Sequence, residues 1–121
     1  QKPPYGQDKL VRVLRGSVLD VAVDIRKNSP TFGKYTTVQL SEDNHKMFLL
    51  PQGFAHGFIA LDDIVDFEYM VGGNQYNKES ERAIVWNDPD LNIQWNVDSP
   101  IVSEKDNSAP KFKEIDPADL F

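Results

Sequence analysis

The chain has 121 residues, enough for one domain with a single core, and its 40% hydrophobic and 11% aromatic residues are typical of a folded globular protein. The net charge of −6 argues against a nucleic-acid-binding protein, because such proteins neutralise phosphates with clustered Lys and Arg. The absence of cysteine excludes disulfides and thiolate metal sites, and no stretch has the length of a membrane span or the apolar core of a signal peptide. We therefore expect one cytosolic domain over residues 1–121, with neither a nucleic acid nor a membrane as partner.

Short stretches rich in β-branched and aromatic residues alternate with Gly, Pro and Asn turns along the chain. Residues 18–25 alternate between two faces, which predicts a half-buried strand. Because no long helix interrupts the short strands, the pattern favours an all-β sandwich or barrel. Asp116 followed by Pro117 predicts a short helical turn near the C-terminus. The predicted strands cover residues 9–14, 18–25, 34–40, 45–50, 58–61 and 64–70, with strand-like pieces at 83–86 and 93–95 and a loop at 72–74.

His56, one of only two histidines, stands just before an apolar run that is typical of a buried strand. Gly53 lets the backbone turn sharply, and Gly57 removes a side chain beside the imidazole. These features leave a ligand contact and a buried structural histidine about equally probable. The other histidine, His45, is eleven residues away, and the chain lacks the closely spaced histidine pair, Glu and third His of metal-binding barrel proteins. We therefore expect a site without a metal.

Three polar features have both a functional and a structural interpretation. Lys9 and Arg12 alternate to opposite faces of one predicted strand, so one cation is expected on the inner face unless the strand lies at an edge with a solvated face. Tyr69 shares a face with Phe67, where a phenol is more often structural than a proton donor. The charged segment 103–106 favours a solvated surface.

Six segments carry a recognisable pattern: residues 9–16, 18–24, 29–33, 51–58, 86–91 and 103–106. Taken in order along almost the whole chain, these segments resemble the dTDP-4-dehydrorhamnose 3,5-epimerase family. The resemblance implies a cupin-type jelly roll, a homodimer, and neither a metal nor an organic cofactor. It also implies a nucleotide-sugar substrate: the family epimerises C3 and C5 of dTDP-4-dehydro-6-deoxy-D-glucose, on the route to dTDP-L-rhamnose. Two alternatives stay open, an epimerase of one carbon or of another nucleotide-linked 4-keto sugar, and a non-catalytic cupin that binds a nucleotide sugar.

The resemblance implies a role for each of six residues. Lys9 is similar to the cation that steadies an enolate oxygen, and Tyr69 to the acid that returns a proton. Asp106 is similar to the carboxylate that pairs with the catalytic base. The remaining three match substrate-contacting positions, although an extra residue in the 72–74 loop shifts the last of them: His56, Lys105 and Glu81.

The family's catalytic base is a histidine in an Arg-Gly-Leu-His-Tyr-Gln segment, and the final Gln of that segment resembles Gln1. The resemblance therefore implies that the base lies before the first residue of this chain. Since the chain begins with Gln and not Met, we expect a fragment that lacks the family's N-terminal strands. We expect weak or no epimerase activity from residues 1–121 alone, and an unpaired strand edge that another chain covers.

Overall fold

The computed structural model describes all residues from 1 to 121. Its six strands form two antiparallel three-stranded sheets, with strand orders β4-β1-β6 and β3-β2-β5. The predicted all-β class is confirmed, and no helix is long and apolar enough to cross a membrane. The strands are β1 (Gln7–Arg15), β2 (Ser17–Asp24), β3 (Tyr35–Ser41), β4 (Met47–Leu50), β5 (Phe54–Ala60) and β6 (Asp66–Gly73); the one α-helix is α1 (Glu104–Asn107), and short 3-10 helices span Lys78–Ser80, Phe112–Glu114 and Pro117–Asp119.

The C-terminal third of the chain contains no strand. The strand-like pieces predicted at 83–86 and 93–95 are wrong, because none of these residues belongs to a strand. Their apolar side chains instead cover one face of the β3-β2-β5 sheet, where Ile84, Ile93 and Trp95 pack. The predicted loop at 72–74 is also partly wrong, since β6 continues through Gly73. The C-terminal helical turn is confirmed, with Asp116 as its N-cap.

Strand β2 is buried on both faces, so the half-buried strand predicted there is wrong. Val18 and Ala22 face the core between the two sheets. Val21 and Val23 face the opposite way and are covered by Leu91 and the extended C-terminal segment. The prediction fails because the C-terminal segment covers the outer face of β2. Alternation of residue types within one strand does not reveal what covers that face.

Strand β1 is the central strand of its sheet, which excludes the predicted alternative of an edge strand with a solvated face. Val11 and Val13 lie in the core, so Lys9, two residues before Val11, belongs to the inner face. Arg12 lies on the outer face and forms an ion pair with Glu68. The expectation of one inward cation is confirmed, and that cation is Lys9.

The connection between β2 and β3 is anchored on the buried carboxylate of Asp24. Arg26 donates from Nε and Nη2 at 2.9 and 2.8 Å, and the hydroxyls of Ser29 and Thr31 donate at 2.5 and 2.6 Å. The hydrogen bonds from Arg26 do most to hold the pKa of Asp24 well below its usual range, against the effect of burial. The ionised carboxylate therefore stabilises the fold above pH ~4, and this contribution is lost as the pH falls through the depressed pKa.

Replacing Asp24 by Asn is expected to lower the free energy of unfolding at pH 7 by roughly 2–3 kcal/mol, because five donors lose a charged acceptor. The fifth is the backbone N–H of Arg26, which donates to Oδ1 at 3.0 Å. Urea unfolding measured from pH 7 down to pH 3 should show the difference between wild type and variant shrinking below pH ~4. Asp43→Asn, at an exposed residue outside this network, is the matched control. A difference that stays constant with pH would contradict the role of the ionised carboxylate.

Candidate active site

A cleft of about 1050 Å³ is lined by inner-face residues of both sheets together with the C-terminal segment. The structure brings all six sequence-predicted site residues to this cleft, although they are spread over most of the chain. Their positions follow from strand alternation for three of them and from the loops that cover the sheets for the other three. They are Lys9 on β1, His56 on β5, Tyr69 on β6, Glu81 after the first 3-10 helix, and Lys105 and Asp106 on α1.

His56 is fixed by a buried carboxylate on the neighbouring strand. Its Nε2 lies 2.9 Å from both Oδ1 and Oδ2 of Asp20, which is completely buried. Ala22 is directly opposite His56 in the sheet, so Asp20 is its diagonal neighbour on the same face. The ring of Phe67 stacks beside the imidazole at 6.4 Å. Since a carboxylate accepts hydrogen bonds, Nε2 is the donor in this pair.

Asp20 was not among the residues predicted for the site. The only sequence signal was an acidic residue on the same face of a strand as Val18 and Ala22. Inside a core, such a carboxylate requires a hydrogen-bonding partner. That signal predicts a partner but does not say which residue it is, because the partner comes from 36 positions further along the chain.

Gly57 does not clear space for a ligand, so that interpretation of the sequence is wrong. Its partner in the sheet is Val21, on the face opposite to His56. A Cβ built on Gly57 would lie 3.3 Å from Cη2 of Trp95, so the indole fills the space. The interpretation of Gly53 is confirmed: it has φ +89°, and a Cβ there would meet the side chain of Arg26.

Lys9 and Tyr69 present unpaired polar groups to the cleft. No hydrogen bond or ion pair involves the Lys9 ammonium, and none involves the Tyr69 hydroxyl. Val11 is directly opposite Tyr69 and Val71 is directly opposite Lys9, so the two site residues are diagonal neighbours on one face. With 60% of its surface exposed, Tyr69 is available to a ligand and contributes little to packing.

The rim of the cleft carries a hydrogen-bonded group around Glu81. The Tyr76 hydroxyl donates to Oε1 at 2.8 Å, and Lys105 Nζ donates to Oε2 at 3.2 Å. These two hydrogen bonds, the one from Tyr76 first, lower the pKa of Glu81 below its usual value. Tyr76 was not predicted as a site residue, and its own sequence context is an ordinary polar loop.

Helix α1 brings the charged segment 103–106 to the cleft while leaving it exposed to solvent. Ser103 is the N-cap, and its hydroxyl accepts a hydrogen bond from the backbone N–H of Asp106 at 3.2 Å. The side chains of Lys105 and Asp106 both line the cleft. Segment 103–106 is therefore both exposed to solvent, as its charge predicts, and part of the cleft, as the family resemblance implies. The Asp106 carboxylate accepts no hydrogen bond and forms no ion pair within the chain.

Comparison with known proteins places the chain in a family. The family model described as dTDP-4-dehydrorhamnose 3,5-epimerase matches residues 1–114. The dTDP-4-dehydrorhamnose 3,5-epimerase of Shigella flexneri is 50% identical over 116 residues, which are 96% of this chain and 64% of that protein. The chain thus spans less than two thirds of the length of this relative.

Two solved structures have the same fold at high sequence identity. The dTDP-4-dehydrorhamnose 3,5-epimerase of Elizabethkingia anophelis NUHP1 is similar with a TM-score of 0.91 and 49% identity, over 94% of this chain and 63% of that one. The dTDP-6-deoxy-D-glucose-3,5-epimerase of Legionella pneumophila Philadelphia 1, in complex with dTDP-4-keto-L-rhamnose, has a TM-score of 0.93 and 44% identity, over 98% of this chain and 63% of that one. The two sheets described above are thus a cupin-type jelly roll, and the chain belongs to the dTDP-4-dehydrorhamnose 3,5-epimerase family.

Proposed function

We propose that the protein containing these residues is a dTDP-4-dehydrorhamnose 3,5-epimerase, which inverts C3 and C5 of dTDP-4-dehydro-6-deoxy-D-glucose on the route to dTDP-L-rhamnose. One observation carries this proposal: the Lys9 ammonium and the Tyr69 hydroxyl are neighbours on one inner face, line the same cleft, and have no hydrogen-bonding partner within the chain. Further support comes from the Shigella flexneri relative, which bears this name and is 50% identical, and from the Legionella structure with its 4-keto sugar nucleotide.

Lys9 and Tyr69 suit the two demands of this reaction. A proton beside the C4 ketone becomes removable when the enolate oxygen left behind is stabilised. Lys9 has no competing anion within the chain, so its ammonium is free to stabilise that oxygen. Tyr69 then donates its phenolic proton to carbon on the face opposite to the base, and the configuration of that carbon is inverted.

The other four residues bind the substrate or support the base. His56 contacts the sugar nucleotide from the wall of the cleft, and Glu81 and Lys105 contact it from the rim. Asp106 has a free carboxylate, which suits pairing with a catalytic histidine. Neither histidine of the chain is assigned as the base, because His56 is bound to Asp20 and His45 does not line the cleft. The absence of a metal or organic cofactor stays a prediction, as does a cytosolic location.

The proposed homodimer has a suitable surface on the outer face of the β4-β1-β6 sheet. Leu10 faces Leu49 on one side and Met70 on the other, and the latter two are 60% and 49% exposed. Met47, two residues before Leu49 on the same face of β4, extends this apolar area. Contiguous exposed apolar surface is typical of a protein–protein contact, and we propose that a second copy of the chain covers it.

Deuterium exchange tests the proposed reaction on the whole native protein that contains these residues. Incubated in deuterated water with the 4-keto sugar nucleotide, a 3,5-epimerase is expected to place label at both C3 and C5, because each carbon is deprotonated once per inversion. The measurement is NMR of the sugar, with heat-denatured protein as control. Label at one carbon would support the narrower mono-epimerase, and no label would favour a non-catalytic protein that binds a nucleotide sugar.

A further inference from the structure

Two phenylalanines from different sheets stack inside the cleft. The rings of Phe58 on β5 and Phe67 on β6 lie with centroids 4.3 Å apart and planes only 10° from parallel. Strands β5 and β6 are each the edge strand of their sheet, so this stack joins the two sheets where no backbone pairing does. Both side chains line the cleft.

Phe58 is not simply a core residue. It remains 46% exposed, while Leu50, which lines the same cleft, is 3% exposed. Apolar side chains that serve the core alone are normally covered by other residues. The uncovered part of the Phe58 ring therefore gives the cleft an apolar surface that a ligand can contact.

This apolar surface adjoins two polar groups of the proposed active site, His56 and Tyr69. The imidazole of His56 is 6.3 Å from the Phe58 ring and 6.4 Å from the Phe67 ring, centroid to centroid. Tyr69 follows Phe67 by two residues on the same face of β6. A sugar that contacts His56 therefore lies within reach of the two phenylalanine rings.

We propose that Phe58 and Phe67 bind the C6 methyl group of the sugar, and that they make the site selective for 6-deoxy sugars. This inference rests on the proposed function. The methyl group is the only wholly apolar substituent of a 4-keto-6-deoxy hexose ring, whose other substituents are oxygens. A flat aromatic surface suits this role, because inversion at C5 moves the methyl from one side of the ring plane to the other. The hydroxymethyl group of a 6-hydroxy sugar would lose water contacts against the same surface.

The test compares two substrates and one fragment on the whole native protein. The substrates are the dTDP-linked 4-keto-6-deoxy hexose and the corresponding 6-hydroxy 4-keto hexose, and the fragment is dTDP without a sugar. Wild type is expected to prefer the 6-deoxy substrate in kcat/KM by roughly 10- to 200-fold, the range for one small group in an apolar site. Phe58→Ala is expected to remove most of this preference while changing the Kd for dTDP by less than about twofold, as measured by calorimetry.

Two further variants separate a specific contact from general packing. Phe58→Leu keeps apolar volume at the position and should retain more of the preference than Phe58→Ala. Phe32→Ala removes an aromatic ring of similar exposure outside the cleft, where Phe32 packs on Phe112, and should leave the preference unchanged. An unchanged affinity for dTDP shows in each case that the variant is folded.

Three outcomes would overturn the inference. A loss of dTDP affinity in Phe58→Ala as large as the loss of kcat/KM, with a wild-type midpoint of urea unfolding, would mean that the aromatic surface binds the thymine base. A substrate preference that Phe58→Ala leaves intact would mean that the stack only joins the sheets. If wild type places no deuterium at C3 or C5 of the 6-deoxy substrate, both the proposed function and this inference fail. If wild type places the label but Phe58→Ala keeps the substrate preference, only the inference fails.

Discussion

Replacing Tyr69 by Phe is expected to lower the rate of epimer formation by about 10²- to 10⁴-fold, the usual contribution of a positioned general acid. The variant loses only a hydroxyl that makes no hydrogen bond within the chain, so its free energy of unfolding should change by less than ~0.5 kcal/mol. Proton removal should be damaged much less, because Lys9, which stabilises the enolate in the proposed reaction, is untouched. Deuterium should therefore still enter the substrate, with retention of configuration, when the base returns a solvent-exchanged proton to the face from which it came.

The measurement follows label and stereochemistry in the same reaction by NMR, on the whole native protein. Tyr5→Phe is the matched control, since Tyr5 is 42% exposed and lies outside the cleft. It should leave both exchange and epimer formation at the wild-type rate. Equal loss of exchange and epimer formation in Tyr69→Phe would contradict the role of Tyr69 as the acid.

Replacing Asp20 by Ala is expected to lower the free energy of unfolding by roughly 2–4 kcal/mol, because it leaves a cavity in the core and removes the acceptor of the His56 Nε2–H. Asp20→Asn keeps the volume and one acceptor oxygen, so it should be markedly less destabilising. In both variants the His56 ring is no longer held by two carboxylate oxygens. We therefore expect the KM for the sugar nucleotide to rise by about 10-fold or more, with a smaller fall in kcat.

Nitrogen NMR of the His56 ring distinguishes positioning from general core stability. In wild type the spectrum should show one fixed donor nitrogen, and in Asp20→Asn a mixture of tautomers. Asp66→Asn, at an exposed residue of β6, is the control for loss of one negative charge. A loss of stability without a change in KM or in the His56 spectrum would show that Asp20 serves the core only.

Much of this site could be predicted from residues that are close in sequence. Alternation along β1 placed Lys9 and Arg12 on opposite faces, and the apolar partners of Lys9 show which face is buried. The segments that resemble the epimerase family contain four of the six predicted site residues, and the other two, Tyr69 and Glu81, were matched by their position between segments. All six line the cleft. These predictions succeed because strand alternation and family motifs are local properties of the chain.

The parts that could not be predicted depend on contacts between distant segments. Residues 83–86 and 93–95 look like strands because they are apolar, yet their side chains cover a sheet without joining it. Gly57 looks like a gap for a ligand, but Trp95 fills it from 38 positions away. The partner of Asp20 is equally invisible within its own strand. In each case the prediction would require knowing which distant segment packs against the residue, and patterns within a few residues of the chain do not contain that information.

The double burial of β2 has a consequence for how the cleft works. This strand pairs with a strand on each side and is covered on both faces, so it is expected to be among the most stable parts of the fold. His56 is held in place through its hydrogen bond to Asp20 on this strand. Tyr69, like His56, lies on an edge strand, but its hydroxyl has no hydrogen-bonding partner within the chain. Lys105 and Asp106 lie on an exposed helix of four residues. One wall of the cleft is therefore anchored and the other is peripheral. In the reaction proposed above, the anchored wall would hold the substrate at His56, and the proposed acid Tyr69 would act from the peripheral wall.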